Sequence, residues 1–448
     1  MQAGTVHIIG AGVAGLAAGV FLAREGRAVR IYETSPNAGG RCRSFHDAVL
    51  GREIDNGSHL LLGANREAMR LIRLLEGEDR FWKLEDGLPF CDLRDGERWR
   101  LPPSGGFGKI MASVPGGGGG MGLVKLLLAG RNATVASCFP AEDNRYIRLW
   151  EPLAVSILNT PAARASAASF RRVLGLLWRA EREGMAAFVP KQSWNDALIA
   201  PMVEAIRARG GELQFSRRIR AMVIEGGRVT TLRTAEGDIM VASGDTVILA
   251  TPPHVATMLL PGLEVPQDYA PIVNVHFAVS SPESRSDSRA IHREAGMDAP
   301  RVRCVNSGHD VLGIIGGAAH FLFFREGLIS ATTSAAYALA EEEDEAIAAK
   351  IWGEVRQVCH PERSEGSHAV GDPSPLAQDD IPPYRVIKEK RATFACTPEN
   401  LTRRPGTRTT CANLFLAGDY TDTGLPATIE GAVVSALRAV AGVSGKCK

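Results

Sequence analysis

The chain has no apolar run long enough to cross a bilayer, no C-x-x-C pair and almost no net charge, and each absence removes a class of function. The longest greasy stretches, such as GLVKLLLAG at 122–130, fall well short of the roughly 18 residues that a membrane span needs. With 51 basic against 50 acidic residues, a formal charge of +1 and no long basic run interleaved with aromatics, no nucleic-acid partner is expected. Eight cysteines lie scattered at 42, 91, 138, 304, 359, 396, 411 and 447, without the spacing of a disulfide framework or a zinc ribbon. That pattern predicts a reducing, cytoplasmic setting. Apolar residues begin within a few positions of Met1, leaving no basic stretch or cleavage site, so no signal peptide is expected. A chain of 448 residues is expected to divide into about two or three domains.

What is present begins with TVHIIGAGVAGLAAGVFLAREGRAVRIYE at 5–33. Val6, Ile8 and Ile9 suit a central parallel strand, and Gly10, Gly12 and Gly15 then give G-x-G-x-x-G, with Ala14 among them, where a helix begins. Gly10 permits a tight turn, Gly12 lets backbone approach a pyrophosphate, and Gly15 lets helix pack on strand, while free N–H groups at the helix start face phosphate charge. Glu33 ends a second strand about twenty residues on, where a carboxylate holds a ribose hydroxyl pair. A second match, Gly117, Gly119 and Gly122 in PGGGGGMG, has no strand leading into it and is read as a flexible loop.

NAGGRCRS at 37–44 follows, with Gly39 and Gly40 able to bring backbone against a cofactor and Arg41 offering a positive fork for phosphate. This step resembles the GG-R stretch of the FAD-dependent amine oxidase and phytoene desaturase superfamily, which makes FAD the expected cofactor in place of NAD. NLFLAGDYTDTGLPATIEGAVVSALRAV at 413–440 reads as a buried strand, a turn at Gly418 and Asp419, and a helix beginning near Ala427. By the same resemblance Asp419 serves the ribityl or pyrophosphate side, N–H groups near Thr428 and Ile429 face the flavin's pyrimidine edge, and Ile219 packs on the adenine. Residues 209–253 show hairpin alternation and end in the buried run Val247–Ala250. The expected fold is therefore α/β: a Rossmann-like FAD-binding domain of glutathione-reductase type, made from 1–74, 190–261 and 401–448, with a discontinuous α+β substrate domain from 75–189 and 262–400.

Three further stretches, DNGSHLLLGA at 55–64, RLWEPLAVSILNTPAARAS at 148–166 and AGDYTDTGLPATIEGAV at 417–433, resemble the hydroxysqualene dehydroxylase family, and the likeness extends over most of the chain. The resemblance implies reductive removal of the hydroxyl of hydroxysqualene to give squalene for hopanoid synthesis, with a hydrophobic C30 isoprenoid as substrate. Two alternatives remain: an oxidative desaturase of carotenoid-like chains, which would use the same cavity and cofactor residues, and an escort-type protein that binds prenyl groups on this fold without using a cofactor, against which Glu33, Arg41 and Asp419 argue together. The turn Asn56–Gly57–Ser58 suits backbone contact with a flavin edge, Leu60 to Leu62 suit an apolar cavity wall, and His59 is the candidate proton donor, with Asp55 and Tyr420 as secondary candidates. No second nucleotide fingerprint is evident, so an external electron donor or reductase is expected.

In the expected substrate domain, Phe170, Val173, Leu174, Leu177 and Trp178 follow helical spacing and are read as core. MGLVKLLLAGRN at 121–132 combines a greasy stripe with Lys125 and Arg131, and suits either a packed helix or peripheral contact with the inner face of the membrane. Residues 280–310 and 359–380, rich in Ser, Pro, Arg and acids, are read as exposed, mobile insertions. Cys359, His360 and His368 match no standard zinc spacing, so no metal is expected.

Overall fold

A computed structural model of the protein describes residues 4–104, 106–116, 120–179, 184–279, 311–359 and 381–445. The run Val6–Ile9 is buried at all four positions and forms the middle of a five-stranded parallel sheet, as a strand covered on both faces must. Its neighbours are Val29–Tyr32 on one side and Thr246–Leu249 on the other, with Glu212–Gln214 and Leu414–Leu416 at the edges. Five strands thus come from three widely separated parts of the chain. Helices Val13–Arg24 and Ile429–Val443 pack in one apolar core with the sheet, through Leu16, Val20, Ile31, Ile248, Val433 and Ala436. Fully burying each of the larger of these side chains stabilises the fold by about 1.5–3 kcal/mol.

A seven-stranded mixed sheet carries the opposite wall, in the order 384–394, 269–278, 328–334, 321–325, 311–315, 88–92, 98–101. Alternation along each strand divides its faces. Val273, Val275, Phe277, Leu312 and Leu322 pack under helix Asp344–Cys359, where Phe277 and Trp352 rings lie 5.1 Å apart. Ile272, Asn274, Phe321 and Phe323 face a large cavity instead. The fold is α/β, with a Rossmann-like parallel sheet and a separate mixed sheet.

Some expectations need correction. Helix Ala167–Arg179 buries Phe170 and Leu174, but Val173 and Leu177 line the cavity and Trp178 is exposed. Gly122 lies inside helix Gly120–Leu128, where a Cβ would stand 2.1 Å from the Phe139 ring, so it is a packing glycine; Gly117 and Gly119 lie outside the described residues. Residues 280–310 and 360–380, with His360 and His368, also lie outside them. Cys359 closes a regular helix and is disulfide-bonded, whereas Cys42, Cys91, Cys138, Cys396 and Cys411 are free and buried. Among the described residues no cluster of metal-binding side chains occurs, and no helix is long and apolar enough to cross a membrane.

Candidate active site

A cavity of about 1960 Å³ opens at the carboxyl ends of the parallel strands and runs along the inner face of the seven-stranded sheet. It exceeds the roughly 1,000 Å³ upper range of an ordinary small-molecule pocket. Every site residue named from the sequence lines it except Gly15 and Asp55. At Gly15 a Cβ would stand 2.0 Å from the Gly10 carbonyl oxygen, so this glycine permits the close helix–strand contact. Gly10 has φ +106° and makes the turn, and a Cβ at Gly12 would meet nothing within 4 Å, which leaves the approach to its backbone open.

The remote motifs meet. Gly39 N–H donates to the Ala11 carbonyl at 2.8 Å, and Ala417 N–H donates to Leu249 O at 3.0 Å. Arg41 Nη2 donates to Asp419 Oδ1 at 2.8 Å, joining positions 378 residues apart, while Nη1 donates to Ala392 O at 2.6 Å. Nη2 thus ties the Gly40 turn to the Asp419 loop and Nη1 ties it to strand 384–394, while the Arg41 side chain lines the cavity. Glu33 is held by N–H groups of Ala11 at 2.7 Å and Ser35 at 2.8 Å, which aim its carboxylate beside the glycine turn. Thr428 caps helix Ile429–Val443, its Oγ1 accepting from Gly431 N–H at 3.1 Å, and the helix start faces the cavity with its unpaired N–H groups.

The turn 55–59 is clamped from below. Asp55, almost fully buried, accepts from Ser44 Oγ at 2.7 Å, Trp194 N–H at 3.0 Å and Arg325 Nη2 at 2.6 Å. Its carboxylate is an anchor committed to three donors, not a group facing the cavity. Asn56 Oδ1 and Ser58 Oγ are buried without a partner on the cavity wall, as groups awaiting a polar ligand edge would be. His59 lines the cavity with its ring set edge-on to Trp194 at 6.0 Å. Burial pushes its imidazole below the usual range; Asp55 opposes this and Arg41 adds to it. Burial thus favours the neutral form of the His59 ring. Burial raises the phenol of Tyr420, whose hydroxyl has no partner.

Sequence reading missed Asn274. Its Nδ2 donates to the Asn56 carbonyl at 3.2 Å and its Oδ1 accepts from Thr332 Oγ1 at 2.7 Å, so the seven-stranded sheet holds the 55–59 turn directly. The one signal was an asparagine, with a histidine two residues on, in the largely apolar run PIVNVHFAV. Glu430 was missed too: its buried carboxylate accepts from Glu67 and Ala68 N–H at 3.1 and 2.8 Å.

Residues 141–444 match the family described as "Flavin containing amine oxidoreductase", and residues 8–75 match "NAD(P)-binding Rossmann-like domain". The chain is 36% identical to a hydroxysqualene dehydroxylase of Rhodopseudomonas palustris, over 97% of each chain. It is 35% identical to a hydroxysqualene dehydroxylase of Zymomonas mobilis, over 96% of each. Cyclohexylamine oxidase from Brevibacterium oxydans shares the fold at 15% identity, with a TM-score of 0.66 over 99% of both chains. Open backbone at Gly12, the oriented Glu33 carboxylate and the partnerless Asn56 and Ser58 oxygens fit FAD, the cofactor of this fold family. The chain belongs to the hydroxysqualene dehydroxylase family of FAD-dependent oxidoreductases.

Proposed function

We propose that the protein reductively removes the hydroxyl of hydroxysqualene, giving squalene and water, as a step toward hopanoids. The observation that carries this reading is one continuous cavity with two kinds of wall. Gly12, Glu33, Arg41 and Asp419 line one part, and Leu60, Leu62, Phe90, Leu153, Val173, Leu177 and Phe321 line another. The first suits a dinucleotide and the second a long hydrocarbon with almost nothing polar to grip. The names of the relatives support the same substrate.

In this reading Glu33 holds the ribose of the adenosine half, Ile219 packs on the adenine, and Asp419 serves the ribityl or pyrophosphate side. Gly40, Gly57, Ser58 and the helix start at Thr428 and Ile429 face the flavin. The cofactor-binding unit in this reading is 1–74, 190–261 and 401–448, and the substrate unit is 75–189 and 262–400. Reduced FAD, when bound, supplies a hydride. Hydroxide is a poor leaving group, so the oxygen must leave as water after a proton reaches it inside the cavity. His59 relays that proton from its place beside the flavin-facing turn, and the partnerless Tyr420 hydroxyl is the second polar group at hand.

The electrons come from an external donor or reductase. The substrate reaches the protein at a membrane surface, with helix Gly120–Leu128 resting on it: Met121 and Leu128 are 72% and 81% exposed, Val124 and Leu127 share the outward face, and Lys125 and Arg131 flank it. Anaerobic incubation of the reduced holoenzyme with hydroxysqualene should yield squalene, and His59→Ala should keep the flavin yet slow the conversion about a hundredfold. Absence of squalene, with desaturated products from carotenoid-like chains under oxidising conditions, would replace this reading by the oxidative one.

A further inference from the structure

We propose that His320 recognises the substrate's hydroxyl group, donating a hydrogen bond from Nε2 to the hydroxyl oxygen and so distinguishing the hydroxylated chain from its product. The proposal rests on the dehydroxylation reading above and deepens it.

His320 stands just before strand Phe321–Arg325, and its N–H donates to the Thr332 carbonyl at 2.9 Å. Its Nδ1 accepts from Ser334 N–H at 3.1 Å. A ring nitrogen that accepts carries no proton, so the hydrogen of this imidazole sits on Nε2. Burial pushes the group down to about 4, in keeping with a ring that stays neutral. His320 lines the cavity, and no described residue accepts from its Nε2.

The surrounding wall makes this donor conspicuous. Ile314, Phe321 and Phe323 beside it are apolar. The Thr332 hydroxyl already donates to Asn274, and the Thr333 hydroxyl to Ala318 O at 2.8 Å. The turn before His320 is fixed by Glu354, which accepts from Ala319 N–H at 2.9 Å. The His320 strand lies two strands from the one bearing Asn274, a span of roughly 10 Å at the usual strand spacing. Asn274 in turn holds the flavin-facing turn at Asn56. A chain lying along the cavity from the turn toward the start of strand Phe321–Arg325 can thus put a reacting carbon near the turn and its hydroxyl toward His320.

A neutral donor suits the task. It holds the oxygen through a hydrogen bond without taking or giving its proton, so the proton that turns the hydroxyl into water still arrives from elsewhere. The hydrocarbon product offers no acceptor and leaves Nε2–H unpaired, which favours release of product over substrate.

Asparagine places an oxygen where Nδ1 stands and has nothing at Nε2, whereas glutamine places an amide nitrogen near Nε2 and lacks the inner acceptor. The test is equilibrium binding of hydroxysqualene and of squalene to oxidised holoenzyme in detergent, for wild type, His320→Asn and His320→Gln. His320→Asn should weaken hydroxysqualene binding roughly three- to tenfold and leave squalene binding unchanged, while His320→Gln keeps most of the discrimination. His320→Asn that discriminates like wild type, or His320→Gln that loses discrimination as fully as His320→Asn, overturns the assignment. Wild-type enzyme that makes squalene alongside such a result leaves the dehydroxylation reading standing; wild-type enzyme that makes none removes that reading and this proposal together.

Discussion

The nucleotide crevice and the wall of the seven-stranded sheet line one cavity but are built on different terms. In the crevice, function lies in short local spacings: Gly10 to Gly15, Glu33, and the Asp419 turn ahead of a capped helix. On the sheet wall, the polar groups that matter are single residues in apolar strands, Asn274, His276, His320 and Thr332, brought together only by strand register. Between the two runs a seam at residues 55–59, gripped from the crevice side by Ser44 and Trp194 and from the sheet side by Arg325 and Asn274. The crevice is specified by backbone geometry, which tolerates few residue types. The wall and seam depend on a small number of buried polar ties, each of which can be cut.

The deepest cut is at Asp55. Asp55→Ala removes the acceptor of three donors and leaves the Arg325 guanidinium, 15% exposed, without its carboxylate. Losing one partner of such a buried pair costs about 3–5 kcal/mol. Denaturant unfolding of the variant should show that loss. A loss below about 1 kcal/mol, the range of an exposed ion pair, would mean that the seam does not depend on this tie.

His276 ranks next and acts through pH. It is fully buried on the same sheet face as Asn274, with Nδ1 within 2.8 Å of Ser330 Oγ, and burial pushes it from 6.5 down to about 4, with Asp55 opposing and Arg325 assisting. A folded-state value below the unfolded one means that the unfolded chain binds the proton more readily. The stability from keeping His276 neutral is therefore present above about pH 6.5 and is lost as pH falls toward 4. The loss is on the order of 3 kcal/mol at the acid end. His276→Gln should flatten the stability profile over that window, and a profile as steep as that of wild type would place the acid sensitivity elsewhere.

How much of this was legible follows the same division. The crevice could be read because a glycine turn, a terminal acid and a capped helix leave marks at fixed spacing, and the structure brings those marks together through Arg41 and Asp419. The sheet wall could not, because pairing Asn274 with Thr332 needs the register of strands 58 residues apart. Helix Ala167–Arg179 shows a second limit: Phe170 and Leu174 face the core while Val173 and Leu177 face the cavity. Both surroundings are apolar, so periodicity marks both faces alike. Asp55 was visible as a carboxylate in a turn, but its three donors come from residues 44, 194 and 325, which no local pattern connects.

A smaller effect separates the seam from the wall. Asn274→Leu leaves the Asn56 carbonyl and the Thr332 hydroxyl without their partner, at a cost of about 1–3 kcal/mol. Because Asn56 and Ser58 stand on the cavity wall, the visible spectrum of the bound flavin should shift as well. Loss of stability with an unaltered spectrum would make Asn274 a strut of the sheet with no bearing on the turn.

The smallest effect on the fold should come from the outer helix, and there the comparison sharpens. In helix Gly120–Leu128, Leu126 is fully buried and Gly122 packs on Phe139, while Met121, Val124, Leu127 and Leu128 point outward. Arg171 Nη1 donates to the Leu127 and Ala129 carbonyls at 3.0 and 2.8 Å, holding the helix end in place on its inner side. Met121→Ser with Leu128→Ser therefore removes apolar surface that contributes nothing to the core, and stability should change by less than about 0.5 kcal/mol. Binding to vesicles containing anionic lipid should weaken severalfold, since apolar burial and the charges of Lys125 and Arg131 act together at such a surface. Unchanged vesicle binding would detach the membrane reading from this helix, and a large loss of stability would show that its outer face is packed after all.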